Sequence, residues 1–405
     1  MSMSQPLSEQ TITLVKATVP ALEAHGLAIV SEMYSRMFQN PEIRDLFNQS
    51  HHGDTGSQPR ALTGAILAYA NNIDNLGALA PAVERIAQKH VGLQILPEHY
   101  PYVAEALLGA IKAVLGEAAT DEILAAWGEA YWFLANILIA REARIYGEQK
   151  ETTGGWNGWR DFRIDSVIEE SRVIKSFILR PADGGPVMAH KPGQYLTFWL
   201  EIPGHAPIKR NYSISCAPNG EHYRISVKRE PLGLASGWLH DEAAAGDILK
   251  VAAPAGEFFL DGHPERPVVL LSGGVGLTPM VAMLETLVAQ GADVPVHYIH
   301  GTHDRETHAM REHVRVQAAR GKALTVTDFH QTPLDGEVEG RDYDIAGIIT
   351  DDWLVANTPV AEADYFICGP RPFLRHAVSA LSLAGVPVGR IHYEFFGPAD
   401  ELLAA

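Results

Sequence analysis

At 405 residues the chain is too long for one ordinary core, so two or three domains are expected. With 46% hydrophobic and 20% charged residues it reads as a soluble globular protein. A formal charge of −17, from 49 acidic and 32 basic side chains, argues against nucleic acid or an anionic membrane as the main partner.

The first residues, MSMSQPLSEQ, have neither a basic start nor an apolar core and do not read as a signal peptide. Apolar residues then recur at helical spacing. They predict helices around 8–24, 26–39, 59–75, 81–91, 98–115 and 121–146, with breaks at Pro41, His51–Ser57 and Pro97. The longest apolar run, Tyr131–Ala140, is too short to span a bilayer. Residues 1–147 therefore read as an all-α domain, and Gly147–Gly158 (GEQKETTGGWNG) as the linker that follows, with the boundary set at 148–158. Short β-rich runs come next, at Arg160–Glu169, Ile174–Arg180, Tyr195–Leu200 and Tyr223–Lys228, separated by Pro/Gly turns. They suggest an antiparallel β-barrel over 159–264. From Arg266, strands at Val268–Leu271, Val296–His300, Leu324–Asp328 and Tyr365–Ile367 alternate with helical segments, the first at about 278–290. That pattern predicts a parallel, doubly wound α/β domain over 265–405. The two cysteines, Cys216 and Cys368, stand far apart and form no CxxC. This argues against a disulfide framework, a cysteine zinc site or c-type haem attachment, and fits a cytoplasmic location without stable membrane insertion.

Chemistry concentrates in a few segments. In Val268–Met280 (VVLLSGGVGLTPM), Gly273, Gly274 and Gly276 lie between a strand and a helix. Backbone N–H groups there can approach phosphate, and the helix N-terminus favours an anion. Thr278 and Pro279 open that helix, where proline suits the first turn. A tight turn without a ligand has the same composition, and the spacing is not GxGxxG. Cys368, Gly369 and Pro370 follow an apolar strand and leave room for a flat ring at the sheet edge. Arg210–Ser215 (RNYSIS) offers an arginine for pyrophosphate, a tyrosine to stack on a flavin and a serine to reach ring nitrogens. An edge strand of incidental polarity would look the same. Together these motifs resemble the ferredoxin–NADP reductase family, as do Pro192–Tyr195 (PGQY), Val227–Glu230 (VKRE) and His392–Pro398 (HYEFFGP). The resemblance implies that Arg210, Tyr212 and Ser213 bind FAD with Tyr195 against the ring. It also places Ser236, in Gly233–Trp238, near the flavin pyrophosphate, and Glu394 and Phe396 beside the flavin where nicotinamide enters.

In the helical half, Val83, Ile86, Ala87, His90 and Val91 share one helical face, which puts His90 on the buried stripe. It is either a satisfied core histidine or an axial haem ligand. A second stripe, Tyr131, Leu134, Ala135, Leu138, Ile139 and Glu142, ends in a carboxylate where an apolar residue is expected. A buried carboxylate needs partners, and Tyr100 is one candidate. Near a helix end, Glu142 can instead reach water. Tyr34 lies on an aromatic-rich helix and is core or a hydroxyl offered to a small ligand. Gln58 and Leu62, four apart at a helix start, flank a ligand or are surface. This half resembles the globin domain of the flavohaemoglobins through Met33–Phe38 (MYSRMF), Ala87–His90 (AQKH) and Ala126–Tyr131 (AWGEAY). The resemblance implies one haem b with His90 as iron ligand and Tyr100 and Glu142 behind it. Tyr34, Gln58 and Leu62 would line the opposite pocket, and Phe47 would pack on the haem. The polar residues 51–57 and Leu277, where some members carry glutamine, are departures.

Nicotinamide delivers hydride and iron takes single electrons, so a flavin between them resolves the mismatch. The resemblance implies a nitric oxide dioxygenase in which NADH or NADPH reduces FAD, FAD reduces haem, and O2 steadied by Tyr34 meets nitric oxide to give nitrate. Reduction of peroxides or other small acceptors, and an oxygen sensor or store, remain alternatives. So does a flavin reductase with a haem-free helical interaction domain. Lipid in the haem pocket and the choice of nicotinamide stay open.

Overall fold

The computed structural model describes residues 6–46 and 57–397. They fall into two compact units: 6–46, 57–151 and 206–209 in one, 152–205 and 210–397 in the other.

The first unit is helical. Helix α1 (Glu9–Ala17) is capped by Ser8, whose hydroxyl accepts the Thr11 amide at 3.0 Å. It stops at Thr18, whose hydroxyl turns back to the Val15 carbonyl at 2.6 Å, and Pro20 opens α2 (Val19–Met37). The break thus falls earlier than the predicted one beside Gly26. That glycine is buried inside α2, where a Cβ would lie 2.8 Å from Thr63 Cγ2. It lets α2 approach α4 (Ser57–Asn71), which follows the single turn α3 (Pro41–Arg44). Helix α5 (Ala80–Leu93) ends at Gln94 in the left-handed region, φ 61°. A 3-10 turn at Pro97–His99 leads into α6 (Tyr100–Leu115).

Helix α7 spans Asp121–Glu151, five residues past its expected end at 146, and Gln149 in that extension is buried. Its Gly147–Glu151 stretch is therefore helix and not linker. By length and composition α7 could cross a membrane, with an 18-residue window of mean hydropathy 1.5, which the run Tyr131–Ala140 alone does not convey. It packs instead on α1, α5 and α6. The core joins Ile29, Met33, Tyr69, Leu107 and Trp127.

The second unit begins with six strands: β1 (Arg160–Glu169), β2 (Ile174–Pro181), β3 (Tyr195–Leu200), β4 (Ile208–Ser213), β5 (Tyr223–Lys228) and β6 (Ile248–Val251). Helix α8 (Leu234–Asp241) lies between the last two. The sheet order is β4-β3-β6-β1-β2-β5, with β1/β2, β1/β6, β2/β5 and β3/β6 antiparallel. A bridge between Ile214, just past β4, and Ile225 in β5 joins the two edges and closes the barrel.

The remainder alternates strand and helix: β7 (Val268–Gly273), α9 (Leu277–Gln290), β8 (Val296–Thr302), α10 (Arg311–Ala318), β9 (Leu324–His330), β10 (Ile345–Ala346), α11 (Asp351–Asn357), β11 (Asp364–Cys368), α12 (Arg371–Leu383) and β12 (Ile391–Glu394). All pairs are parallel, in the order β10-β9-β8-β7-β11-β12. Every residue of β7 is buried, as a central parallel strand requires. The winding reverses between β7 and β11. At such a switch point the loops leave the strand ends in opposite directions and open a crevice.

Candidate functional site

In the helical unit, α5, α6 and α7 bring together three side chains that the sequence scatters over 52 residues. His90 Nδ1 lies 2.7 Å from Glu142 Oε1 and 3.1 Å from the Tyr100 hydroxyl, and that hydroxyl donates to the same Oε1 at 2.6 Å. A carboxylate only accepts, so His90 carries its proton on Nδ1 and leaves the Nε2 lone pair uncommitted. The Glu142 side chain is 3% exposed and its helix continues for nine residues, so it does not reach water, and Oε2 has no partner among the described residues. Burial, then the Glu142 hydrogen bond, pushes the Tyr100 pKa up and keeps the phenol a donor.

Two further tyrosines brace this corner. Tyr131 donates to the Tyr100 carbonyl at 2.7 Å and Tyr146 to the Ile95 carbonyl at 2.9 Å. Arg141 grips Glu84 with two bonds, at 2.7 and 2.9 Å, and ties α7 to α5 about a turn away. None of these braces was read from the sequence. Two helices that carry opposite charges do not announce which pair will meet.

His90 fits an iron ligand. On a stripe where Ala87 and Val91 are buried, its side chain stays 30% exposed, and Nε2 makes no hydrogen bond among the described residues. Tyr34 is buried on α2 beside Met33 and Met37, and burial pushes its pKa up, so its hydroxyl is a donor at neutral pH. Leu62 is half-buried on α4 against the core. Phe47 lies outside the described residues, as does the side chain of Gln58.

In the second unit Arg210 and Tyr212, two apart on edge strand β4, share a face, and the Tyr212 ring meets Phe198 edge-on at 5.6 Å. Ser213 is buried where β4 ends. Tyr195, which opens β3, is buried to the ring. A Cβ on Gly256 (φ 118°) would stand 3.0 Å from Tyr195 Cε1, so the glycine makes space for the tyrosine. The Tyr195 hydroxyl is buried with no partner among the described residues, as a hydroxyl that serves a polar ring system would be, and these residues fit a flavin. Ser236 differs from expectation. Its hydroxyl already accepts the Glu230 amide at 3.1 Å and donates to the Gly233 carbonyl at 3.3 Å, so it is occupied in shaping the start of α8.

At the crevice the glycines divide by purpose. Gly274 has φ 54° and open space around its Cβ position. Gly276 instead allows contact: a Cβ would lie 2.1 Å from the Cys368 carbonyl oxygen. The Cβ position of Gly369 is 2.6 Å from Phe373 and that of Gly273 is 3.2 Å from Pro370. At Gly369 the absence of a Cβ is what admits Phe373 of α12 and the β7 turn. Thr278 donates to the Val275 carbonyl at 3.0 Å, and Pro279 is buried in the first turn of α9. Ser272, Cys368 and Glu394 are register neighbours on β7, β11 and β12. Burial, then the Glu394 charge, raises the pKa of both Cys368 and Tyr195, so Glu394 lies within electrostatic reach of both. Cys368 is fully buried and inert as a nucleophile. Phe396 is exposed.

The barrel and the α/β domain are clasped by Glu285 of α9. It meets Arg224 of β5 and His313 of α10, each at 2.6 Å, and accepts the Ala217 amide at 2.7 Å.

Residues 31–138 match the globin family model, and residues 270–379 match the model of the oxidoreductase NAD-binding domain. A flavohemoprotein of Xylella fastidiosa is 56% identical over 403 residues, covering 100% of both chains. One of Rhizobium meliloti is 46% identical over 97% of this chain and 98% of its own. Among solved structures, a flavohemoglobin of Malassezia yamatoensis with bound FAD and heme superposes with a TM-score of 0.87 at 27% identity, over 97% of this chain and 100% of that one. The flavohem-like FAD/NAD binding domain of a nitric oxide dioxygenase from Vibrio cholerae gives a TM-score of 0.54 at 36% identity, over 59% of this chain and 99% of that one.

Proposed function

Since this chain belongs to the flavohemoprotein family, which it matches from end to end, we propose that it draws electrons from NADH or NADPH through FAD to haem and converts nitric oxide and O2 to nitrate. The observation that carries the reading is His90, whose Nδ1 is fixed by Glu142 and Tyr100 while Nε2 is left open in an apolar setting.

When bound, haem supplies one-electron iron chemistry and FAD the passage from hydride to single electrons. The chain's own residues do the rest. His90 Nε2 holds the iron. The Glu142 carboxylate draws on the Nδ1 proton and makes the imidazole a stronger electron donor. Tyr100 shares that carboxylate and fixes the ring's orientation. The Tyr34 hydroxyl would donate to the diatomic substrate beside Leu62, and the family resemblance assigns Gln58 and Phe47 to the same pocket. In the barrel, domain 159–264, Arg210 pairs with pyrophosphate, Tyr212 and Tyr195 flank the flavin ring, and Ser213 bonds its edge. With the Ser236 hydroxyl occupied, the phosphate contact at α8 falls to backbone amides of residues 234–236.

The donor lies across the crevice of domain 265–405. Gly273, Gly274 and Gly276, with Thr278 and Pro279, form the floor beneath it, and Cys368-Gly369-Pro370, Glu394 and Phe396 receive the nicotinamide. Its adenosine end rests over β8, the second strand of this wound sheet. The helical domain, which runs to Glu151, carries the haem, 152–158 is the connection, and the protein works in the cytoplasm without membrane insertion.

The test is nitric oxide consumption by purified holoprotein in aerated buffer with NADH or NADPH. Rapid donor-dependent loss with stoichiometric nitrate is expected. No loss above background, with both haem and FAD bound, would overturn the reading.

A further inference from the structure

Beside the crevice, three buried histidines form a row that no step above uses. His300 ends the core of β8, His308 precedes α10 and His330 ends β9, at 1%, 7% and 0% exposure. The rings stand 5.0 and 5.3 Å apart, centre to centre. Ser272 Oγ meets His300 Nδ1 at 2.9 Å, His308 Nδ1 meets His330 Nε2 at 3.1 Å, and His330 Nδ1 meets Glu337 Oε2 at 2.6 Å. The other Glu337 oxygen accepts the Arg305 amide at 2.9 Å. Arg305 sits in the loop 303–308, which leaves the C-terminal end of β8; bonds between Asp304 and Thr307 and the Thr302–Thr307 hydroxyl contact shape it, and it is also held by the Arg172 amide on the Glu306 carbonyl at 2.8 Å and the Thr332 amide on the His303 carbonyl at 2.9 Å.

Burial, reinforced by the neighbouring histidines, Arg311 and Arg315, holds the His308 pKa well below its ordinary value, so this ring is neutral and has one proton. The Glu337 carboxylate accepts from His330 Nδ1, and His330 Nε2 faces His308 Nδ1. The carboxylate nearest His308 Nε2, Asp328, stands at 3.7 Å and is held by Arg315 at 2.6 Å. His330 therefore fixes the Glu337 carboxylate with its second oxygen on the loop.

We propose that Glu337 is a positioning residue for the nicotinamide donor: anchored on His330, it latches the loop 303–308 against the end of β8, where the adenosine end of the dinucleotide lies. This rests on the placement of the donor given above. A latch acts on binding of the adenosine end and not on hydride transfer, so it separates KM from kcat.

The experiment uses full-length holoprotein with ferricyanide as acceptor. Glu337→Leu and His330→Leu should each raise the donor KM about tenfold, with kcat within about twofold of wild type. The KM for reduced nicotinamide mononucleotide, which lacks adenosine, should not change. His330→Asn, which keeps an N–H near the place of Nδ1, should restore the KM. Unchanged KM in the leucine variants, equal increases with the mononucleotide, or no rescue by asparagine would each overturn the latch.

Should the leucine variants fail to fold, hydrogen exchange on the wild type decides. The Arg305 amide should exchange slowly in the free protein, and fast exchange there would overturn the latch. Added ADP-ribose should slow the amides of 303–308 further. If ADP-ribose binds and leaves them untouched, the placement of the donor fails instead.

Discussion

The molecule contains two histidine–carboxylate pairs of nearly equal geometry and opposite use. His90 meets Glu142 at 2.7 Å and His330 meets Glu337 at 2.6 Å, each through Nδ1. At His90 the far nitrogen makes no hydrogen bond among the described residues and the side chain is 30% exposed. At His330 the far nitrogen is engaged by another histidine and the side chain is fully shielded. A carboxylate behind an imidazole thus does not make a metal ligand. What the second nitrogen faces decides between a ligand and a structural link, and that depends on packing three or four elements away.

Exchanging residues between the two settings tests this contrast, and the largest effect should come at His90. His90→Ala is expected to remove the haem absorption band while FAD stays bound, whereas His330→Leu should keep both. An alanine variant with full haem content would erase the distinction. Next comes Glu142→Gln, which keeps an acceptor for Nδ1 but removes the charge. Haem affinity should fall about 10–100-fold, as when partners behind metal-bound histidines are removed, and the iron potential should rise. Equal potentials in a redox titration would show that the charge does not reach the ring.

On the open side, Tyr34→Phe should retain both cofactors and release O2 roughly tenfold faster, the worth of one hydrogen bond of about 1.4 kcal/mol. An unaltered dissociation rate in a stopped-flow trace would remove Tyr34 from the pocket.

The smallest effect is on the sealed side, with pH. For Glu337 burial alone would raise the pKa, but the His330 and Arg305 hydrogen bonds prevail and lower it from 4.5. A depressed carboxylate pKa stabilises the fold above the unfolded value, and that stability is lost as pH falls through the folded one. Wild-type melting temperature should therefore drop more steeply below about pH 4.5 than that of Glu337→Leu, and parallel curves would contradict the assignment.

The two pairs also differ in how far the sequence betrays them. His90 stands on an apolar stripe and Glu142 breaks another, so each is conspicuous by itself. Their meeting across 52 residues depends on how α5 and α7 cross, and only the family resemblance supplied it. His300, His308, His330 and Glu337 follow no period. Parallel register aligns the ends of β8 and β9, and the predicted strands Val296–His300 and Leu324–Asp328 stop short of Thr302 and His330, where that alignment becomes visible. The helical and α/β architectures were readable because apolar periodicity is a property of each segment alone. The first helix boundary was misplaced between 24 and 26 because apolar spacing runs on through Thr18, and Gly26 shows its purpose only once its neighbour, Thr63, is in place. The extension of α7 through Gly147 was hidden for a related reason: a polar, glycine-containing stretch scores as linker unless one of its residues, here Gln149, finds something to pack on.

The crossing of the β7 turn over the end of β11 bears on what mutation can reach. Position 276 has no tolerance for any side chain, since the first carbon would enter the Cys368 carbonyl, while position 274 needs only a backbone willing to turn left and opens onto empty space. A library randomised across the turn and sorted for folded protein should return glycine alone at 276 and a mixture led by glycine, asparagine and aspartate at 274. Two glycines of one motif, two residues apart, would then carry very different evolutionary histories, one frozen by its neighbour across the crevice and the other free to drift.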